Sequence, residues 1–244
     1  LRCVFCQNYQ VSQEWHRSRP RTPETDELAT EMLALQDDGA HNINLVSPSR
    51  VVYQAADAIL AARARGLTIP IVYNTNGYDW VEVLRQINGL VEIYLPDLKY
   101  MDDELGRRYS GVDDYAQVAP IALEEMLRQV GHLKLDEHGV AVRGLLVRHL
   151  VLPGQPENSR RCLRQLADLS PETWISLMSQ YSPQHHACRY PEINRRVRAA
   201  EYDAITDYAL ELGLENVFVQ ELTSPELFLP DFDRERPFEP RKPL

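Results

Sequence analysis

The sequence predicts an α/β fold built from repeated parallel β/α units, and three observations carry that prediction. Short apolar runs alternate with helix-period patterns along most of the chain. The runs are rich in Val, Ile, Leu and Tyr and mostly read as continuous rather than alternating, as strands covered on both faces do. The composition is that of one soluble globular domain or two small ones, with 244 residues, 44% hydrophobic and 25% charged. A barrel and a doubly wound sheet both satisfy this pattern. Both place ligand sites beyond the C-terminal ends of the strands.

The predicted strands, in order, are residues 41–46, 70–76, 90–98, 142–152, 174–181 and 216–221. The first helix carries Leu28, Met32 and Leu35 on one face, with Thr25 as its N-cap. Val52, Ala55, Ala56, Ile59 and Leu60 form the next stripe, ended by Gly66. Asp79 caps a short helix running through Ile87. Leu123, Met126, Leu127 and Val130 mark another helix, and Leu163, Leu166 and Ala167 a further one entered by Pro156. Tyr202, Ile205, Ala209 and Leu212 form the last, closed by Gly213. From Thr223 onward Pro225, Pro230, Pro237, Pro240 and Pro243 give an extended, Pro-rich tail. The domain reading is therefore a core over residues 1–222 and a tail over 223–244.

Several classes are excluded by composition. A net charge of −10 argues against a sequence-independent grip on nucleic acid, which needs a basic face. No apolar run is long enough to span a bilayer, so no membrane role is expected. Four cysteines are too few for a disulfide scaffold, which points to a reducing cytoplasm.

Cys3-Val4-Phe5-Cys6 is a C-x-x-C, a spacing open to zinc, an iron–sulfur cluster or a redox disulfide. No second Cys/His pair follows at zinc-finger spacing, and His16, His185 and His186 are distant and unpatterned. The polar run after Cys6, with Pro20 and Pro23 delaying the first helix, does not suit a thioredoxin-like motif. Cys162 sits among apolar helix positions and reads as core. Cys188, beside His185 and His186, leaves packing, metal and redox roles open.

Leu1-Arg2-Cys3-Val4-Phe5-Cys6 resembles the later part of the radical S-adenosylmethionine (SAM) signature C-x-x-x-C-x-aromatic-C. Further segments extend the resemblance to residue 221: Asn74-Thr75-Asn76-Gly77, Asp97-Leu98-Lys99, Arg148 through Pro153-Gly154, and Ser176 to Tyr181, each ending a predicted strand. Within the superfamily the chain resembles most the pyruvate formate-lyase-activating-enzyme-like proteins, the activators of glycyl radical enzymes.

The resemblance implies a partial (β/α)6 TIM-like barrel lacking its first strand, with the chain cut inside the motif and the first cluster cysteine two places ahead of Leu1. It implies a [4Fe–4S] cluster held by Cys3 and Cys6, SAM on the open iron, and radical hydrogen abstraction. Phe5 would shield the cluster near the adenine, and Asn74 and Asn76 would approach the SAM methionyl end. Asp97, with the Lys99 backbone, would hold a monovalent cation, and Arg148 would pair with the SAM carboxylate. Ser47 stands where the family often has the carboxylate of G-G-E, and Gln180 or Tyr181 would serve the adenine. Asn74 replaces the usual Asp of D-T-N-G, so that negative charge is lost. The implied partners are a low-potential donor such as flavodoxin or ferredoxin and a glycyl radical enzyme. The rival readings are a radical SAM enzyme acting on another protein or a small molecule, and a non-catalytic zinc-binding α/β module.

Overall fold

A computed structural model of the chain describes residues 1–14, 22–222, 230 and 232. The strands are β1 (Ile43–Val46), β2 (Ile71–Thr75), β3 (Ile93–Pro96), β4 (Lys134–Leu135), β5 (Ala141–Leu150), β6 (Trp174–Met178) and β7 (Val217–Val219). The helices are α1 (Tyr9–Ser12), α2 (Thr25–Asp37), α3 (Val52–Ala64), α4 (Val81–Gln86), α5 (Asp103–Ser110), α6 (Tyr115–Val130), α7 (Pro156–Leu169) and α8 (Ala199–Glu211). The strand order is β1-β2-β3-β5-β6-β7, every neighbouring pair parallel, and β4 lies antiparallel on β5. Among the described residues β1 and β7 are unpaired edges, so the sheet is an unclosed barrel of β/α units, as the sequence predicts.

Burial follows from position in the sheet. The central β2 is buried at every residue and β3 at all but Leu95, which explains their uninterrupted apolar sequences. Strands β5 and β6 alternate instead: Leu145, Val147, His149, Ile175 and Leu177 are buried under helices, while Leu146, Arg148, Ser176 and Met178 are only half-buried. Paired residues in a parallel ladder share a face. The registers Val46↔Asn74↔Leu95 and Arg148↔Ser176 therefore put the half-buried set on the inner, concave face. One core cluster joins the helix side of β2 to β6 with α4 to α8, and a smaller one joins β1 and β2 to α2 and α3.

The predicted strands are present with shorter ends, and several local expectations need correction. Thr25 is not the N-cap of α2; Glu24 takes that place and makes no side-chain cap bond. Leu35 and Leu60 are half-exposed rather than core, because the packed stripes run through Ala29, Met32, Ala58 and Ala62. Asp79 does not cap α4, whose N-cap is Trp80; its carboxylate is buried for another purpose described below. Helix α5 and the two-residue β4 are absent from the sequence reading. Gly144 has φ +121, and a Cβ there would come within 2.4 Å of the His132 carbonyl oxygen, so only glycine admits the crossing segment. His16, Pro20 and the tail expected from Thr223, apart from Pro230 and Phe232, lie outside the described residues.

Candidate functional site

The Cys3–Cys6 loop lies between two distant parts of the chain. Its outer strand-like stretch donates to the end of α5, Arg2 N–H to Ser110 O at 3.0 Å and Val4 N–H to Tyr109 O at 2.8 Å. On the other side His186 N–H donates to Val4 O at 2.8 Å and the Gln7 side chain to Gln180 O at 3.2 Å. A tight turn joins the two cysteines, with Cys6 N–H reaching Cys3 O at 3.2 Å. Phe5 is buried and meets Tyr181 edge-to-face at 5.5 Å. The histidines that look remote in sequence are neighbours here: Tyr9 stacks on His185 at 4.9 Å and His185 on His186 at 3.7 Å.

Each sulfur of the pair meets a serine hydroxyl. Cys3 Sγ is 3.1 Å from Ser110 Oγ, which also lies 2.9 Å from the fully buried Tyr100 hydroxyl. Cys6 Sγ is 3.3 Å from Ser12 Oγ. Burial raises the Cys3 thiol above its ordinary pKa, and the Lys99 ammonium and Ser110 hydroxyl oppose that rise. Cys162 is fully buried in α7 and Cys188 is exposed in the turn Ala187–Arg189. Among the described residues no group of three His, Cys, Asp or Glu side chains is arranged to hold a metal ion.

The strand ends converge on an ion-pair cluster beside this loop. Arg148 on β5 donates from Nε to Asp97 Oδ1 at 2.8 Å and from Nη2 to Asn74 Oδ1 at 2.7 Å. Lys99 Nζ donates to Asp97 Oδ2 at 2.5 Å. Burial by itself would raise the Asp97 carboxyl, but the Arg148 and Lys99 cations outweigh it and hold the group below the usual carboxylate range. Burial would likewise lower Lys99, and the Asp97 carboxylate and Cys3 sulfur keep it above its ordinary value. Lys99 thus links the cluster electrostatically to the cysteine loop.

The loops that carry these residues are fixed from behind. Gly77 has φ +79, and a Cβ there would stand 2.1 Å from the Asp97 carbonyl oxygen, so the turns after β2 and β3 touch backbone to backbone. The buried Tyr115 hydroxyl, at the start of α6, shares its one hydrogen between the Asn76 and Asp97 carbonyls at 2.7 and 2.9 Å and accepts from Lys99 N–H at 3.1 Å. Asn76 Oδ1 accepts Tyr78 N–H at 3.0 Å, closing an Asx turn. The buried Asp79 carboxylate accepts from the Ser49 and Thr75 hydroxyls, each at 2.5 Å, and from the Tyr73 hydroxyl at 3.2 Å. This joins the turn after β1 to the end of β2.

Ser47, at the end of β1, adopts φ 54 and ψ 49 while its N–H donates to Asn74 O at 2.7 Å. That left-handed conformation costs a non-glycine residue on the order of 1 kcal/mol, a strain that concentrates at functional sites. Gln180 donates through its backbone to Gln220 and accepts from the Gln220 amide at 3.0 Å. Behind Arg148, His149 is fully buried between Leu98 O at 2.7 Å and the Ser159 hydroxyl at 2.9 Å. A carbonyl can only accept, so Nδ1 carries the hydrogen and Nε2 accepts from Ser159.

All ten residues predicted for the site lie on or beside the C-terminal ends of the parallel strands or in the loop that leans on them. Asn74, Asp97, Lys99 and Arg148 form one bonded group. Ser47 joins it only through the backbone, Cys3 by electrostatics, and Gln180 bonds instead to Gln7 and Gln220. The sequence reading missed Ser110, Tyr115, Asp79 and His149. Only His149 carried a signal, a polar residue inside an apolar strand.

The donor set suits a soft-metal cofactor: two thiols in one tight turn, with a cation and two hydroxyls to stabilise sulfur-borne negative charge. A family model described as the Radical SAM superfamily matches residues 1–167. The chain is 26% identical over 225 residues to the uncharacterized protein MJ0674 of Methanocaldococcus jannaschii, covering 89% of this chain and 61% of that one. The chain therefore spans less than two thirds of that relative. Among solved structures it is similar to a domain of pyruvate-formate lyase-activating enzyme from Bacteroides vulgatus, with TM-score 0.53, 13% identity, and coverage of 74% of this chain and 98% of that one. It is also similar to Streptococcus suis SuiB bound to S-adenosylmethionine, with TM-score 0.58, 13% identity, and coverage of 93% and 47%. At such identities these two likenesses concern the fold.

Proposed function

The chain belongs to the radical SAM superfamily, and from that premise we propose that Cys3 and Cys6 are two thiolate ligands of a [4Fe–4S] cluster serving hydrogen abstraction. Cys3 and Cys6 would hold such a cluster, which would supply the single electron for cleaving the C5′–sulfonium bond of SAM to methionine and a carbon radical that takes hydrogen from a substrate. The observation that carries the reading is the adjacency of the two-thiol loop to the Asp97–Lys99–Arg148 group at the strand ends.

The chain's own residues would then act as follows. Arg148 and Lys99 bind the SAM carboxylate, with Asp97 holding both cations in place. Asn74 orients the Arg148 guanidinium, and Ser47 and Asn76 offer polar atoms to the SAM amino group. Phe5 keeps water from the inner side of the loop, and Gln180 borders the adenine. Ser110 and Ser12 donate to the ligand sulfurs.

The finer reading is an activating enzyme whose substrate is a glycine in a partner glycyl radical enzyme, with flavodoxin or ferredoxin as donor and the cytoplasm as location. A peptide substrate of that kind calls for a wide mouth at the strand ends. A sealed pocket would favour the rival reading, a small-molecule substrate.

The test is anaerobic reconstitution of the full-length protein, counting iron and sulfide and measuring 5′-deoxyadenosine released from SAM after reduction. Release that disappears in Cys3→Ala and Cys6→Ala is the expected result. A protein that binds zinc stoichiometrically and never releases 5′-deoxyadenosine would sink the reading.

A further inference from the structure

The resemblance leads one to expect a monovalent cation beside the SAM carboxylate, held by Asp97 and the backbone of Lys99. The donor atoms present do not fit it. An alkali ion needs several free oxygen ligands. Asp97 Oδ1 already accepts from Arg148 at 2.8 Å and Oδ2 from Lys99 Nζ at 2.5 Å. Asn74 Oδ1 accepts from Arg148 Nη2 at 2.7 Å, and the Lys99 carbonyl accepts from the Asn158 amide at 2.9 Å. Each of these four oxygens therefore already faces an N–H donor, and the two on Asp97 face charged ones. Two protein cations within bonding distance of Asp97 would also repel a third positive charge.

Charge balance points the same way. The group holds one carboxylate and two cations, so it is net positive by one charge without any added ion. An Asp at position 74 would cancel that charge and leave no net attraction for an anion. Asn74 keeps the geometry toward Arg148 and removes the negative charge. The two side chains are complementary: the neutral amide removes the need for an ion, and the lysine ammonium takes the ion's place on Asp97.

We infer that Lys99 is a built-in replacement for the cation, so that this protein binds SAM through its carboxylate with no alkali-metal requirement. The inference rests on the proposed SAM site and adds the identity of its counter-ion. In this arrangement Lys99 reaches Asp97 on one side and faces the SAM carboxylate on the other. A covalently attached ammonium needs no recruitment from solution, and buffer composition leaves its occupancy unchanged.

Equilibrium binding of SAM to the cluster-loaded holoenzyme tests this by calorimetry, with chloride salts of potassium, sodium or tetramethylammonium at equal ionic strength. Wild-type affinity should agree within about twofold across the three salts. Lys99→Met should lose about tenfold in tetramethylammonium and regain most of it with potassium or sodium, because the freed Asp97 Oδ2 then accepts the ion. A wild-type protein whose affinity rises about tenfold with an alkali cation would overturn the inference and leave the functional reading standing. A cluster-loaded protein that binds no SAM in any salt would overturn both. The wild-type comparison decides the matter even if Lys99→Met does not fold.

Discussion

Burial of His149 pushes its ring down to about 4, from an ordinary 6.5, and the ring keeps no exposed surface. A histidine of depressed pKa is neutral in both states above 6.5, so its full contribution to stability is present there. Between 6.5 and about 4 the unfolded chain binds a proton that the native site refuses, and stability falls as pH falls. The shift corresponds to about 3 kcal/mol over that window. Urea unfolding between pH 7 and 4 should show this loss, and His149→Gln should flatten that limb even if it is weaker at pH 7. An unchanged slope in the variant would show that other groups set the acid sensitivity.

Helix α6 acts on the site through its first residue. Tyr115→Phe keeps the buried ring and removes the hydroxyl that serves Asn76, Asp97 and Lys99. Leaving those backbone groups without a partner should cost about 1–3 kcal/mol in urea unfolding. An unchanged midpoint would mean that the hydroxyl holds nothing there. Elements of this kind mark the limit of what the sequence discloses. The six parallel strands were legible because buried strands write themselves as apolar runs, and Asn74, Asp97, Lys99 and Arg148 because polar residues stand out at the ends of such runs. Tyr115 was not legible, since its partners are backbone atoms 16 to 39 residues away. Asp79 was misread as a helix cap because its hydroxyl partners come from two different strands' ends. Helix α5 could have been found: Asp102 caps it by accepting from Glu104 N–H, and Gly111 at φ 71 ends it, both ordinary helix signals.

The molecule as a whole is a sheet with a dense middle and thin margins. The central strands β2 and β3 are almost wholly buried, whereas Phe218 and Val219 of β7 are half-exposed and Val46 of β1 more so. Local opening follows that gradient. Hydrogen exchange should therefore be slowest at the amides of β2 and β3 and faster at β7; equal protection of β7 and β3 would contradict this gradient. The placement of the cysteine loop bears on the protein's birth as well. Cys3 lies 107 residues from Ser110, and Gln7 lies 173 from Gln180. On a ribosome adding about 5–20 residues per second, the thiols emerge on the order of ten seconds before their last supports exist. Until then they stand bare to oxygen, and the chain depends on its surroundings to keep them reduced.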